Sequence, residues 1–187
     1  MKIAITGASG LIGTALTASL SESGDDSVPI ARGRATAGDG VGFWDPANGQ
    51  LDPRVLDGAD GVVYLSGLGI ADRRWSDARK EALRAARVDS GKLLAETIAF
   101  MDEPPPVLVS ASATGIYGNR GNEVLGEKSA AGEGFLATLT SEWEASFEPA
   151  KAKGVRVVHA RLGVVISKNG DLLRKLLPLF RLGLGGT

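Results

Sequence analysis

The chain has 187 residues, 43% of them hydrophobic and 23% charged, with 21 Lys plus Arg against 22 Asp plus Glu. That length allows one domain with a sizeable core, and the near-zero net charge gives no ground for nucleic acid or a membrane surface as the main partner. The lack of cysteine excludes disulfides, thiolate catalysis and cysteine-ligated metals, and a single histidine, His159, cannot form a histidine cluster.

The N-terminus MKIAITGASG lacks the charged and apolar regions of a signal peptide, and no apolar run reaches the about 18 residues of a membrane span. The expected compartment is the cytoplasm. In chain order, residues 2–6 (KIAIT) predict a strand ending at Gly7, and residues 11–23 a helix ending at Gly24. Residues 28–31 predict a second short strand, weakened by Pro29, which cannot donate to a ladder. Residues 33–59 are loop-rich, with one short strand over 41–44. Residues 61–66 (GVVYLS) predict a strand, with Asp57 and Asp60 as turn residues before it. Residues 76–100 predict a long helix with a break near 89–91, stopped by the prolines at 104–106. A strand follows over 107–110, a helix over 134–153 kinked at Pro149, a strand over 155–162 and a short helix over 171–180. The closing GLGGT has a loop composition, which suggests that more chain follows. Strands alternating with helices imply an α/β fold: a doubly wound Rossmann parallel sheet with helices on both faces.

The clearest motif is Thr6-Gly7-Ala8-Ser9-Gly10-Leu11-Ile12-Gly13, lying between a strand and a helix. Gly7 permits a tight turn, Gly10 lets backbone approach a diphosphate, and Gly13 lets the helix pack closely on the strand. Free amides and the helix dipole then face an anion. The expected cofactor contacts here are Thr6, Gly7, Ser9, Gly10, Leu11, Ile12 and Gly13. An NAD site usually places an acid at the end of the second strand, about 20 residues on. This chain has Ala31-Arg32-Gly33-Arg34 instead. Arginine pairs with a 2′-phosphate that a carboxylate would repel, so NADP is favoured over NAD, with Arg32 the first contact and Arg34 the reserve.

These stretches resemble the extended short-chain dehydrogenase/reductases, the NAD(P)-dependent epimerase/dehydratase superfamily, and within it the atypical "epimerase family" proteins akin to nucleoside-diphosphate-sugar epimerases. The resemblance rests on TGASGLIG at 6–13, FWDPANGQLD at 43–52, GADGVVYLSG at 58–67, IADRRWSDARKEALRAARV at 70–88, SASATGIYG at 110–118, SEWEA at 141–145 and RLGVVISKNG at 161–170. Members are normally longer, with a C-terminal part that supplies much of the substrate pocket. The resemblance implies that Leu65, Ser66 and Gly67 pass the adenosine side of the cofactor, although Gly67 is equally well explained as a strand-to-loop glycine. It places Ser110, Ala111 and Ser112 where a strand end meets the ligand, with Ser112 polarising the reacting oxygen. It places residues 161–164, with Arg161 and Gly163 as cofactor contacts, near the nicotinamide, where a buried strand end is an equal explanation.

The family's acid/base is the tyrosine of Tyr-x-x-x-Lys, and this chain lacks that pair. Its two tyrosines, Tyr64 and Tyr117, are followed four places on by Leu68 and Gly121, and Phe135 and Leu139 fall where the pair is expected. Two readings stay open. Tyr117 serves as acid/base from another direction, or the protein binds NADP as a sensor or structural protein without turnover. Arg73, Arg74 and Trp75 either receive an anionic substrate or form a solvated helix start with a buried indole. Trp143, at helical spacing with Leu136, Leu139 and Phe147, is expected in the core, and His159 is expected as a satisfied strand residue. The implied partner is a small-molecule substrate, either a small polar compound or a sugar nucleotide. Oligomeric state is left open.

Overall fold

A computed structural model describes residues 1–32 and 42–184. Arg34 lies outside the described residues. The first strand, β1 (Lys2–Thr6), runs into α1 (Leu11–Glu22), and Gly24 (φ +76°) turns the chain out of the helix as the Asp25 N–H donates to Leu20 O. The next strands are β2 (Asp26–Arg32), β3 (Gly42–Asp45), β4 (Gln50–Leu51) and β5 (Gly61–Tyr64). Then come α2 (Asp77–Arg84), a π-helical turn (Ala85–Asp89), α3 (Ser90–Phe100) and β6 (Val107–Ala113). The chain continues through α4 (Phe135–Ala145), α5 (Glu148–Ala152), β7 (Arg156–Leu162) and α6 (Asp171–Arg181). No described helix is long and apolar enough to cross a membrane.

The strands form one sheet in the order β4-β3-β2-β1-β5-β6-β7. All neighbours are parallel except β3 with β4. The β1–α1–β2 crossover runs one way along the sheet, and the crossovers from β5 to β6 and from β6 to β7 run the other way. Right-handed crossovers in opposite directions put α1 on one face and α3, α4 and α5 on the other. This is the doubly wound Rossmann fold expected from the sequence, and its switch point lies at β1, where the order reverses.

Several boundaries differ from the sequence reading, each for a visible reason. Pro29 sits inside β2, opposite Ile5 of β1. The Asp26 N–H donates to Met1 O, so by alternation position 29 faces away from β1. The missing N–H therefore breaks no bond of the β1–β2 ladder. The long helix is not interrupted at 89–91; it carries a π-helical turn just before, which buries Arg87 and Val88. The later helix ends at Ala145, before Pro149, which takes a first-turn position in α5. Strand β6 extends to Ala113, three residues past expectation, because β7 pairs with it along its whole length.

The core between the sheet and α3–α5 is aromatic. Tyr64 meets Trp143 and Phe147 edge-on, with ring centroids 6.4 and 5.3 Å apart, each pair worth about 0.5–1.5 kcal/mol beyond its buried area. The Tyr64 hydroxyl shares a 2.5 Å hydrogen bond with Ser90 Oγ. Burial pushes the Tyr64 phenol up to about 12, against the lowering effect of the Ser90 bond and Arg87. Leu139, Trp143 and Phe147 are buried as their spacing predicts.

Candidate functional site

The phosphate loop is built by close backbone contacts. Gly7 has φ +71°, and a Cβ there would lie 2.8 Å from the Leu65 carbonyl group. A Cβ on Gly13 would lie 2.3 Å from Gly7 O and 2.7 Å from Ala8 Cα, so α1 seats directly on the loop. Thr6 braces this arrangement from inside: it is fully buried, and its carbonyl and Oγ1 both accept the Leu65 N–H, at 3.1 and 3.2 Å. Helix α1 starts at Gly10 with no side-chain cap and no acid in its first turn. The N–H groups of Leu11, Ile12 and Gly13 lack intrahelical acceptors and are free for an anion, which gains about 0.3–1 kcal/mol at such a terminus.

Above the loop runs a groove of about 520 Å³. Its lining unites Gly7, Ser9 and Gly10 with Arg32 from β2 and Leu65, Ser66 and Gly67 after β5. Trp44, Pro46, Ala86 and Ser90, which the sequence did not single out, complete it. Arg32 is the only charged side chain among the described residues that line the groove, and none of them is Asp or Glu. The wall after β5 is held from behind: Arg87 Nη2 donates to Leu68 O at 2.7 Å, and Arg79 Nη2 to Gly69 O at 2.6 Å. Arg87 also lies 5.5 Å from the Trp143 ring centroid, and burial lowers its guanidinium below the ordinary value.

The expected residues of β6 and β7 do not join this groove. Ser110 is buried and its hydroxyl donates to Ala111 O, while Ala111 packs on the core. Gly163 is exposed beyond β7. Ser112 is also buried, inside β6, and its hydroxyl donates to Glu144 Oε1 at 2.5 Å. It is therefore turned toward α4, not toward a cavity. Arg161, opposite Ser112 in register, grips both oxygens of Glu144 through Nε and Nη2, each at 2.8 Å. Its Nη1 donates to Tyr117 Oη and Glu127 O, each at 2.9 Å. The parallel pairing of β6 with β7 thus joins Ser112, Tyr117 and Arg161 in one cluster through Glu144.

The electrostatics follow this geometry. Burial would raise the Glu144 carboxyl, but hydrogen bonds from Arg161 and Ser112 outweigh it and hold the group below the usual carboxylate range. Arg161 is raised by the Glu144 bond above all, then by Tyr117, against desolvation. Beside the cluster lies a second cavity of about 580 Å³, lined by Thr114, Tyr117, Leu125, Glu127, His159 and Arg161 among others. His159 is half-buried, its Nδ1 has no hydrogen-bond partner, and burial lowers its imidazole below the ordinary value. The expectation of a satisfied histidine is therefore not met at Nδ1.

Phe135 and Leu139 carry no proton-transfer chemistry. Phe135 meets Trp75 edge-on at 5.4 Å, with Lys80 Nζ 5.7 Å from its centroid, and Leu139 is buried in the core. Trp75 is half-exposed and donates Nε1–H to Ile70 O, while Arg73 and Arg74 are exposed ahead of the Ser76 cap of α2. The residue most clearly missed by sequence reasoning is Glu144. Its partners stand 32 and 17 residues away, so no local spacing marks it.

Comparison with known proteins agrees with this fold. The NAD dependent epimerase/dehydratase family profile matches residues 3–182. An epimerase family protein of Mycobacterium tuberculosis is 45% identical over 183 residues, which is 98% of this chain and 60% of that protein. The crystal structure of a nucleoside-diphosphate sugar epimerase from Corynebacterium glutamicum superposes with a TM-score of 0.85 at 40% identity, over all of this chain and 38% of that one. The crystal structure of human epimerase family protein SDR39U1 with NADPH has a TM-score of 0.84 at 30% identity, over all of this chain and 61% of that one. The chain thus spans about 60% of the length of its mycobacterial relative. A match along nearly the whole chain, on a sheet of the expected order, shows that it belongs to the NAD dependent epimerase/dehydratase family.

Proposed function

We propose that this protein binds NADP in the groove above the phosphate loop and acts as an oxidoreductase or epimerase-like enzyme on a small polar substrate of the sugar-nucleotide kind. The observation that carries the cofactor choice is the charge of the groove: Arg32 stands at the end of β2, and no carboxylate is found among the described lining residues. A guanidinium there pairs with a 2′-phosphate, and none of those described lining residues is an acid that could hold the ribose hydroxyls of NAD. The human relative's NADPH supports this reading. The name of the Corynebacterium relative supports the substrate class.

The residues fit the group. The uncapped start of α1 offers N–H donors to a diphosphate, and Gly7 and Gly10, which carry no side chain, line the groove beside it. Bound nicotinamide would give or take hydride at a carbon bearing oxygen. Tyr117, lining the second cavity, is the candidate to exchange the proton at that oxygen. Ser112 serves behind it by holding Glu144, which replaces its expected role of polarising the substrate. Binding without turnover is the second reading, and the apolar Phe135 and Leu139 favour it.

Fluorescence titration with NADPH and NADH tests the cofactor choice. Loss of one charge-assisted pair costs about 1.5–3 kcal/mol, so Arg32→Ala should weaken NADPH about 10- to 100-fold and leave NADH nearly unchanged. If NADPH binds no better than NADH, or the substitution changes nothing, the assignment is wrong. A panel of carbonyl compounds added to NADPH-loaded protein separates the two readings. Oxidation abolished by Tyr117→Phe supports the enzyme, whereas no oxidation supports the binding protein.

A further inference from the structure

We infer that Arg161, fixed by Glu144, is the positioning cation for Tyr117 and steadies negative charge on its oxygen when the phenol gives up its proton. The inference rests on the proposed role of Tyr117 in proton exchange. Three observations support it. The Arg161 Nη1–H donates to Tyr117 Oη at 2.9 Å, so the phenol oxygen already faces a cation. Among the described residues the phenol's own proton has no protein acceptor, while its ring lines the second cavity. Both Glu144 oxygens are bound by Arg161 and one by Ser112, which leaves the guanidinium a single orientation.

The fork is filled on the Glu144 side by Nε and Nη2, so the donor left for Tyr117 is Nη1. A hydrogen bond from a cation strengthens as charge develops on its acceptor. In the reducing direction the Tyr117 O–H bond breaks and an O–H bond forms at the substrate oxygen. The electron pair stays on Tyr117 Oη, against Arg161; the hydride that reduces the substrate carbon is what a bound nicotinamide would supply. A proton from bulk solvent then returns to the phenol. The same elements run in reverse for oxidation. Charged and titratable neighbours of Tyr117 are Arg161 and His159 from β7, Glu144 from α4 and Glu127 from the preceding loop.

The chain suits a direct test because it has two tyrosines. Tyr64 is buried and its phenol is pushed up to about 12, so its ionisation falls at the alkaline end. The phenolate absorbance of Tyr117 is assigned by its loss in Tyr117→Phe. Arg161→Met, which removes the cation at Tyr117 Oη, should move that step to higher pH. It also leaves the Glu144 charge without its partner, so Arg161→Met/Glu144→Gln, which removes both charges, carries the test if the single variant does not fold. The same upward shift is expected there. A Tyr117 step that stays within about 0.3 units of wild type in the folded variant overturns the inference. NADPH titration of the same proteins keeps the two ideas apart. Wild type that fails to bind NADPH refutes the proposed function and leaves the tyrosine result standing. Normal NADPH binding with an unmoved Tyr117 step refutes the inference alone.

Discussion

Gly13→Ala tests whether the phosphate loop works as a rigid seat for α1. The added Cβ would stand 2.3 Å from Gly7 O and 2.7 Å from Ala8 Cα, where ordinary contact begins at 3.4 Å. Both obstacles are backbone atoms, so no side chain can swing aside, and the start of α1 must shift by about 1 Å. A shift of that size takes an N–H···O bond of about 2.9 Å to nearly 4 Å, outside hydrogen-bond range. Losing one bond to a charged phosphate costs about 1.5–3 kcal/mol, so NADPH should bind about 10- to 100-fold more weakly. Overpacking should also cost about 1–3 kcal/mol of stability, lowering Tm by about 2–12 °C for a chain of this size. Fluorescence titration and thermal unfolding measure the two effects. Ala15→Gly is the comparator: it lies on the exposed face of α1 and costs about 1 kcal/mol of helix propensity without entering the loop. If Gly13→Ala binds NADPH as wild type does, or loses no more affinity than Ala15→Gly, the rigid seat is refuted.

Two further outcomes follow from packing and charge. In Gly91→Ala the new Cβ would meet Ser146 Oγ at 2.7 Å and Phe147 Cζ at 3.0 Å, so the exchange should destabilise by about 1–3 kcal/mol with NADPH binding kept. Helix propensity alone predicts a gain of about 1 kcal/mol, so a rise in Tm would count against the close α3–α5 contact. Burial holds the His159 imidazole below its ordinary value of about 6.5. The unfolded chain then binds the proton more readily, so this group's stability is present above about 6.5 and is lost as pH falls through the lower, folded value. Urea unfolding should show wild type losing more stability than His159→Gln between about pH 7 and 5.5, and parallel pH curves would disprove the burial effect.

Much of the fold was legible because its signals are local. The alternation of apolar runs with helical patterns gave the α/β order, and glycine spacing gave the loop that the structure seats on Leu65. Pro29 misled for a physical reason. A proline's cost in a strand depends on which neighbour its missing N–H would face, and at position 29 that neighbour is not β1. The extension of β6 was equally out of reach, since it rests on seven register pairs with β7, and no property of 111–113 alone announces them.

By itself the sequence determined that a dinucleotide-type loop follows the first strand, that an arginine and not an acid ends the second, and that the Tyr-x-x-x-Lys pair is missing. Each is written in residues that lie close together along the chain. Only the tertiary structure decided which polar side chains meet beside β6 and β7. Ser112, Tyr117, Glu144 and Arg161 come from two strands, a turn and a helix, and Arg161 and Tyr117 are 44 residues apart. The sheet brings them together by setting β6 beside β7 in register, with α4 packed on the same face. Side chains joined in this way are selected by the fold's three-dimensional contacts, which leave no periodicity for a sequence to show.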